Sequence, residues 1–224
     1  MGVFETLGDE ERELILRHLD LVIKANEKVN LTRIDSYDEA LTLHIEDSLL
    51  GLNAFNSAPD GLYGDMGTGA GYPGVPLAIA TKRETILMDA RKKKINMLDQ
   101  MLDELEIGEQ VGTYAGRAEL FAKTQSKRFV VLTARALAKL SVLMELASPL
   151  LKSDGLLICY KAQLPDDELA DARRVRKLVG MSLEDDQSYL LNGKYQRRIL
   201  VFRKFAEPTV RLPRLEGQAQ KNPL

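Results

Sequence analysis

The chain has 224 residues, of which 45% are hydrophobic and 29% charged, with a formal net charge of −2. That profile belongs to a globular protein long enough to bury a sizeable core, and it excludes disordered and fibrous classes. The single cysteine, Cys159, excludes an internal disulfide and predicts a reducing, cytoplasmic setting. No apolar run approaches the roughly 20 residues of a membrane span, and the acidic N-terminus, MGVFETLGDEERELILRHLD, lacks the apolar stretch of a secretory leader. Residues 1–60 hold 5 Lys/Arg against 13 Asp/Glu, and the remainder 26 against 20. The basic remainder is compatible with a polyanionic partner, and equally with solvated helix faces.

In chain order, a first helix is predicted from a stripe through Leu14, His18, Leu21, Val22, Ala25 and Val29. A second opens at SYDE, Ser36–Glu39, whose serine and glutamate have capping-box spacing, and continues through Leu41, Ile45 and Leu49. Extended and helical patterns then alternate. Strands are expected at 61–66, 85–89, 111–114, 129–133, 156–161 and 197–204, with helices at 75–81, 91–106, 140–151 and 165–179. Such alternation predicts an α/β fold with a mostly parallel sheet and helices on both faces. The organisation expected is a helical extension over 1–58, a main domain over 59–205 and an irregular basic tail over 206–224.

The stretch DMGTGAGYPG, Asp65–Gly74, lies between a predicted strand and a predicted helix. Gly69, Gly71 and Gly74 fit the dinucleotide fingerprint, while Asp65, Gly67, Gly69 and Gly71 fit D-x-G-x-G-x-G. A carboxylate at Asp65 repels a pyrophosphate and suits a ligand carrying an ammonium and a sulfonium. Pro73 and Pro76 also lack N–H donors where a phosphate-binding helix supplies them. S-adenosylmethionine fits better than NAD. Asp89, at the end of the next strand, is placed to accept from ribose hydroxyls of either ligand, or to cap the helix that follows. The RKKK run, Arg91–Lys94, reads as a solvated helix face or as a clamp for RNA on the strand-end rim.

NLTRI (30–34), HIEDSL (44–49), DMGTGAGYPGVPLAI (65–79), LMDARKKKINML (87–98), GRAEL (116–120), RALAKL (135–140), YKAQ (160–163) and the terminal KNPL occur in one order. Together they resemble the RsmG (glucose-inhibited division protein B) family of small-subunit rRNA guanine-N7 methyltransferases, from about Asn30 to Arg203. The resemblance implies a class I S-adenosylmethionine-dependent methyltransferase fold, Rossmann-like with a seven-stranded sheet. It implies S-adenosylmethionine as donor and a guanine N7 in the decoding region of 16S rRNA as acceptor. By position, the donor site falls on Gly67, Tyr72, Ala118, Glu119 and Arg135, which join Asp65, Gly69 and Asp89 from the reading above. The chain departs from the family pattern at Ala134, where serine is usual, and at Tyr72, where leucine is usual.

Guanine N7 bears a lone pair and no proton, so its methylation needs alignment and water exclusion rather than a general base. LTARAL, after the fourth strand, lacks the Asn/Asp-Pro-Pro-aromatic motif of exocyclic-amine methyltransferases. Cys159 sits in an apolar strand and is not expected to act as a nucleophile. No residue is therefore assigned as acid, base or nucleophile, and no metal site is expected. Candidate RNA contacts are Arg135, Lys161, Arg197 and Arg198, with Arg203 and Lys204 framing the same late strand. His44 and Asp47 share a helical face that either docks the extension or shapes the acceptor pocket. The expected partner is 16S rRNA, bare or in the small ribosomal subunit or a precursor, with the enzyme a monomer and no membrane involved. Other readings are the same donor chemistry on a small molecule or protein, an NAD-dependent oxidoreductase, and a sensor that binds S-adenosylmethionine without turnover.

Overall fold

The structure, a computed structural model, describes residues 2–26, 34 and 36–224. Val29 of the expected first stripe, and residues 30–33 of NLTRI, lie outside the described residues. After a short turn, Phe4–Thr6, helix α1 (Asp9–Asn26) begins with Asp9, Glu10 and Glu11, where the positive end of the helix dipole favours acids. It buries Ile15, His18, Leu19 and Val22. Of the predicted stripe, His18 and Val22 are buried, while Leu14, Leu21 and Ala25 lie half-buried at its edge, so the buried face is rotated toward Ile15 and Leu19.

The next helical run comprises α2 (Tyr37–Ala40), a π-turn (Leu41–Glu46) and α3 (Asp47–Leu49), with α4 (Leu52–Phe55) one turn beyond. Ser36 caps it by accepting from the Glu39 N–H at 3.2 Å. The Glu39 carboxylate turns outward instead, accepting from the Tyr195 hydroxyl at 2.8 Å. The serine is thus a cap, while the glutamate ties this run to the last strand.

Seven strands follow: β1 (Tyr63–Met66), β2 (Thr85–Asp89), β3 (Val111–Ala115), β4 (Phe129–Arg135), β5 (Leu151–Lys161), β6 (Met181–Leu191) and β7 (Tyr195–Lys204). Their order is β3-β2-β1-β4-β5-β7-β6, parallel except that β7 runs antiparallel to both neighbours. Helices α5 (Gly74–Thr81), α6 (Lys92–Glu104), α7 (Ala118–Thr124), α8 (Leu140–Ala147) and α9 (Asp166–Val179) fill the crossovers, and α10 (Gln218–Lys221) closes the chain. One face of the sheet packs with α1, the π-turn, α5 and α6 around Leu19, Ile45, Val75 and Leu98. The other packs with α7, α8 and α9 around Phe121, Leu143 and Val175. The N-terminal helices thus share a core with the sheet.

The helix expected at 140–151 ends at Ala147, because Pro149 disfavours helical backbone just before it, and β5 starts at Leu151. The strand expected at 129–133 extends to Arg135, which places that arginine on the strand's last residue. Strand β6 is absent from the six strands read from the residue pattern, and it supplies the seventh strand that the resemblance implies. It is an edge strand whose central residues, from Glu184 to Ser188, are exposed.

Gly180 closes α9 with φ of 66°, and its carbonyl accepts from Phe205 and Ala206 at 3.0 and 3.2 Å. A Cβ there would lie 2.1 Å from the Ala206 carbonyl oxygen. Left-handed strain and a backbone clash together make Gly180→Ala cost roughly 2 kcal/mol. Thermal unfolding of that variant is expected about 6 °C below the parent protein. An unchanged Tm would show that the turn relaxes without cost.

Candidate functional site

Beneath the glycine loop lies a chain of buried hydroxyls and one carboxylate. The Thr133 hydroxyl on β4 donates to Asp65 Oδ1 at 2.6 Å and stands 2.7 Å from the Tyr63 hydroxyl. Since the threonine has one proton to give, the tyrosine is the donor to it. Asp65 Oδ2 accepts from the Gly74 N–H at 3.1 Å. One carboxylate therefore joins β1, β4 and the start of α5. Asp65 is fully buried, and burial pushes its carboxyl up to about 6 against the hydrogen bonds that it accepts. The sequence reading placed this acid at the mouth of the site. The structure places it under the loop, where its charge fixes backbone instead of facing a ligand.

Gly67, Gly69 and Gly71 take φ of 75°, 61° and 92°, which turns the loop back on itself without Cβ strain. Gly67 and Thr68 donate to the Met88 carbonyl at 2.8 and 3.0 Å. Gly69 donates to Asp89 Oδ2 at 3.1 Å. Gly71 and Tyr72 donate to the Thr68 carbonyl at 2.9 and 3.1 Å, and Val75 to the Gly71 carbonyl at 2.7 Å. Nearly every amide of the loop is thus engaged inside the protein, and Pro73 has none. A pyrophosphate site needs outward amides, and this loop does not present such an array. It offers backbone that a ligand can approach closely.

The cleft above the loop has a volume of about 530 Å³. Its walls come from the residues that follow β1, β2, β3 and β4, so it lies outside the carboxyl ends of the strands, where the order reverses between β1 and β4. Ligands of open α/β sheets bind at such switch points. Of the predicted donor residues, Gly67, Gly69, Tyr72, Asp89, Ala118, Glu119 and Arg135 line this cleft, and Asp65 does not. Asp89 also accepts from the Arg91 N–H at 2.8 Å, so it shapes the start of α6 while facing the cleft. Met66, Met88, Leu137 and Leu146 supply apolar wall. Acidic acceptors, apolar wall and a close-approach glycine loop suit S-adenosylmethionine, whose ribose donates and whose charge beside the methyl is positive.

On the extension side, His44 stacks on Tyr72 with ring centroids 4.4 Å apart and planes 4° from parallel. His18 meets the same ring at 4.8 Å, and the Arg135 guanidinium sits 5.7 Å from its centroid. A Cβ on Gly71 would lie 2.9 Å from His18 Nε2, so α1 presses directly on the loop. Burial pushes His18 down to about 4 and His44 to about 3, which keeps both rings uncharged near neutrality. Sequence reasoning had His44 facing either the extension or an acceptor pocket, and it lines the cleft. Its neighbour Asp47 instead holds the two halves together: it is buried and accepts from Arg135 at 3.0 Å and Arg197 at 2.9 Å.

Three of the candidate RNA contacts are ion-paired within the protein. Lys161 pairs with Glu168 at 2.5 Å and donates to the Ala138 carbonyl at 2.8 Å. Arg197 is held by Asp47. Arg198 makes a two-bonded pair with Asp186 at 2.6 Å, and Arg203 forks onto Glu184. Both acids belong to β6, so the strand absent from the sequence reading neutralises the basic strand beside it. Lys204 is buried and donates to the Ser148 and Leu151 carbonyls at 2.8 and 2.9 Å. None of Lys161, Arg197 and Arg198 lines the cleft. Sequence reasoning also missed Arg117 and Gln220, which line it; only the irregularity of the tail was visible for the latter. Cys159 is buried, and burial pushes its thiol up to about 12. No cluster of metal-ligating side chains occurs among the described residues.

A profile of the rRNA small subunit methyltransferase G family matches residues 11–198. The chain is 34% identical over 223 residues to the ribosomal RNA small subunit methyltransferase G of Streptococcus suis, spanning 97% of this chain and 93% of that one. It is 35% identical over 222 residues to the protein of the same name from Streptococcus gordonii, with the same coverage. Among solved structures it resembles the YcgJ protein of Bacillus subtilis, with a TM-score of 0.61 and 14% identity over 73% of this chain and 100% of that one. It also resembles the O-methyltransferase of Bacillus cereus in complex with SAH, with a TM-score of 0.57 and 15% identity over 84% and 90% of the two chains. These structures show the class I methyltransferase fold.

The His18 contact has a pH signature. An unfolded histidine binds a proton near 6.5 and the folded one near 4, so the contribution of His18 to stability is present above 6.5 and lost as the pH falls. Between about pH 7 and about pH 5 the loss through this residue is about 2 kcal/mol. Denaturant unfolding at both pH values is expected to show His18→Leu losing about 2 kcal/mol less than the parent protein. Equal losses in the two proteins would mean that His18 is protonated as readily folded as unfolded.

Proposed function

We propose, from the premise that the chain belongs to the rRNA small subunit methyltransferase G family, that this S-adenosylmethionine-dependent rRNA methyltransferase acts on the N7 of one guanine in the decoding region of 16S rRNA. The observation that carries the donor site is the glycine loop whose amides are satisfied internally while Asp89 and Glu119 face the cleft. Gly67, Gly69, Tyr72, Asp89, Ala118, Glu119 and Arg135 would hold the donor, and Asp65 would keep the loop in shape for it. Bound S-adenosylmethionine supplies an electrophilic methyl group on sulfur. The protein's part is to align the guanine and exclude water, which accords with a cleft whose histidine is held neutral. Among the described residues no helix is long and apolar enough to cross a membrane, and the reading is of a monomer working in the cytoplasm on 16S rRNA, within the small subunit or a precursor.

The RNA contacts follow from which cations are left without acids. Arg91 and Lys94 line the cleft, and Lys92 and Lys93 extend the patch outward along α6. Among the described residues none of these four forms an ion pair, whereas Lys161, Arg197 and Arg198 all do. In this reading the phosphate-binding rim is the start of α6, while Arg135, paired with Asp47, stays in the cleft wall.

Transfer of labelled methyl from S-adenosylmethionine to small-subunit particles from cells lacking this protein, with the base mapped by mass spectrometry, is expected to give a single N7-methylguanine. Deproteinised 16S rRNA run alongside shows whether RNA or particle is recognised. Donor binding without incorporation into either would overturn the acceptor assignment. In salt-dependent RNA binding, Lys92→Glu with Lys93→Glu is expected to reduce the log–log slope by about 2, or about 1 per lost phosphate contact. Arg198→Ala is expected to leave the slope unchanged; a larger effect there would return the RNA to the late strands.

A further inference from the structure

The tail after β7 is less idle than its composition suggests. It first lies along the end of α9, where Thr209 donates to the Leu178 carbonyl at 2.9 Å. It then crosses to the far side of the cleft. Arg214 forms a two-bonded pair with Glu145 of α8, both bonds 2.6 Å, and also donates to the Asn222 carbonyl at 2.8 Å. Glu145 is buried. One guanidinium therefore closes residues 214–222 into a loop and pins that loop to the body of the domain, the bidentate geometry at which arginine excels. Ala219 is buried under it, and Leu212 and Leu224 pack against the core at its two ends.

The pinned loop meets the donor cleft at two residues. The Gly217 N–H donates to Glu119 Oε1 at 2.8 Å, from a backbone at φ of 71°. Gln220 lines the cleft beside Ala118 and Glu119. Arg117, also in the cleft wall, grips both ends of this contact, pairing with Glu216 at 3.1 Å and donating to Gln220 Oε1 at 3.3 Å. A guanidinium can only donate, so the oxygen of the Gln220 amide is the atom engaged and its NH₂ group is the one left for another partner. With one carboxylate oxygen held, Glu119 is fixed as an acceptor in the cleft that it lines. A fixed acceptor and an amide donor, carried on the same strap, complement the edge of adenine, which presents an amino donor beside a ring-nitrogen acceptor.

We propose that residues 212–222 form an adenine-reading wall of the donor site, in which Gln220 donates to the adenine ring and Gly217 positions Glu119 to accept from its amino group. This rests on the donor-site reading above. It makes strap docking and donor binding thermodynamically coupled, each favouring the other.

The test uses the full-length protein and S-adenosylhomocysteine, by calorimetry. Gln220→Ala is expected to weaken binding about fivefold, the worth of one neutral hydrogen bond, with the Tm of the ligand-free protein unchanged because the side chain is exposed. The inosine analogue of S-adenosylhomocysteine, whose edge reverses donor and acceptor, is expected to bind the parent protein more weakly and to lose less affinity on Gln220→Ala. Saturating S-adenosylhomocysteine is expected to slow tryptic cleavage after Arg214 by about tenfold, within the usual range of coupling between sites. Binding of Gln220→Ala within error of the parent, or cleavage indifferent to the ligand, would overturn the proposal while leaving the donor site intact. A parent protein that does not bind S-adenosylhomocysteine would overturn both.

Discussion

A buried carboxylate is costly unless every lone pair near it is used, and the site depends on how Asp65 meets that demand. Its partners are the Thr133 hydroxyl and the Gly74 amide, one from β4 and one from the first residue of α5. Satisfying the acid therefore fixes the angle at which the chain leaves β1 and enters the helix. The glycines between them are left to close their amides on Thr68, Met88 and Asp89. Tyr72 then has one place to go, against His44 and His18, and α1 follows it onto the loop. The donor cleft is the space that this arrangement leaves open, and its preference for a cationic ligand over an anionic one follows from amides turned inward.

Charge is distributed by the same logic. The acidic extension is not a counterweight floating beside a basic domain. Asp47 occupies the junction, with Arg135 from β4 and Arg197 from β7 on its two oxygens, and Glu39 accepts from Tyr195 nearby. Farther out, the acids of β6 take up Arg198 and Arg203. At the lip of the cleft the run from Arg91 to Lys94 forms no ion pair among the described residues. Net charge near zero thus coexists with a locally basic rim where a polyanion has to arrive, which is the condition for electrostatic docking without a separate RNA-binding module.

The sequence was most legible where function forces a local pattern. The turn from β1 through the glycines to α5, the acid at the end of β2 and the Ser36 cap all follow from residues adjacent in the chain, and strand–helix alternation yields the sheet. What escaped has a common cause in long-range pairing. Strand β6 carries polar residues over its middle and gains its strand character from β7 alone. The direction of Asp65 depends on Thr133, 68 positions away. The tail reads as irregular because Arg214 is stabilised by Glu145, 69 residues earlier, and not by its own neighbours. Rotation of the α1 face reflects the same limit: the periodicity includes His18 and Val22, but Ile15 and Leu19 are buried through contacts with other elements, which periodicity within one helix does not encode.

Methylation at a ring nitrogen moves no proton toward the enzyme in the bond-forming step, and the titratable groups here are arranged accordingly. The histidine in the cleft wall is held far below neutrality by burial and by the nearby Arg135, and the cysteine of β5 far above it. The carboxyl of Asp65 is turned into scaffold. Asp89 and Glu119 line the cleft already engaged by backbone amides, Gly69 and Arg91 on one and Gly217 on the other. Each group is held in place, which is what alignment requires. A site built this way gains rate by holding two partners in line, so its sensitivity should lie in the parts that set distance: the glycine loop, the Asp47 fork and the strap that crosses Glu119.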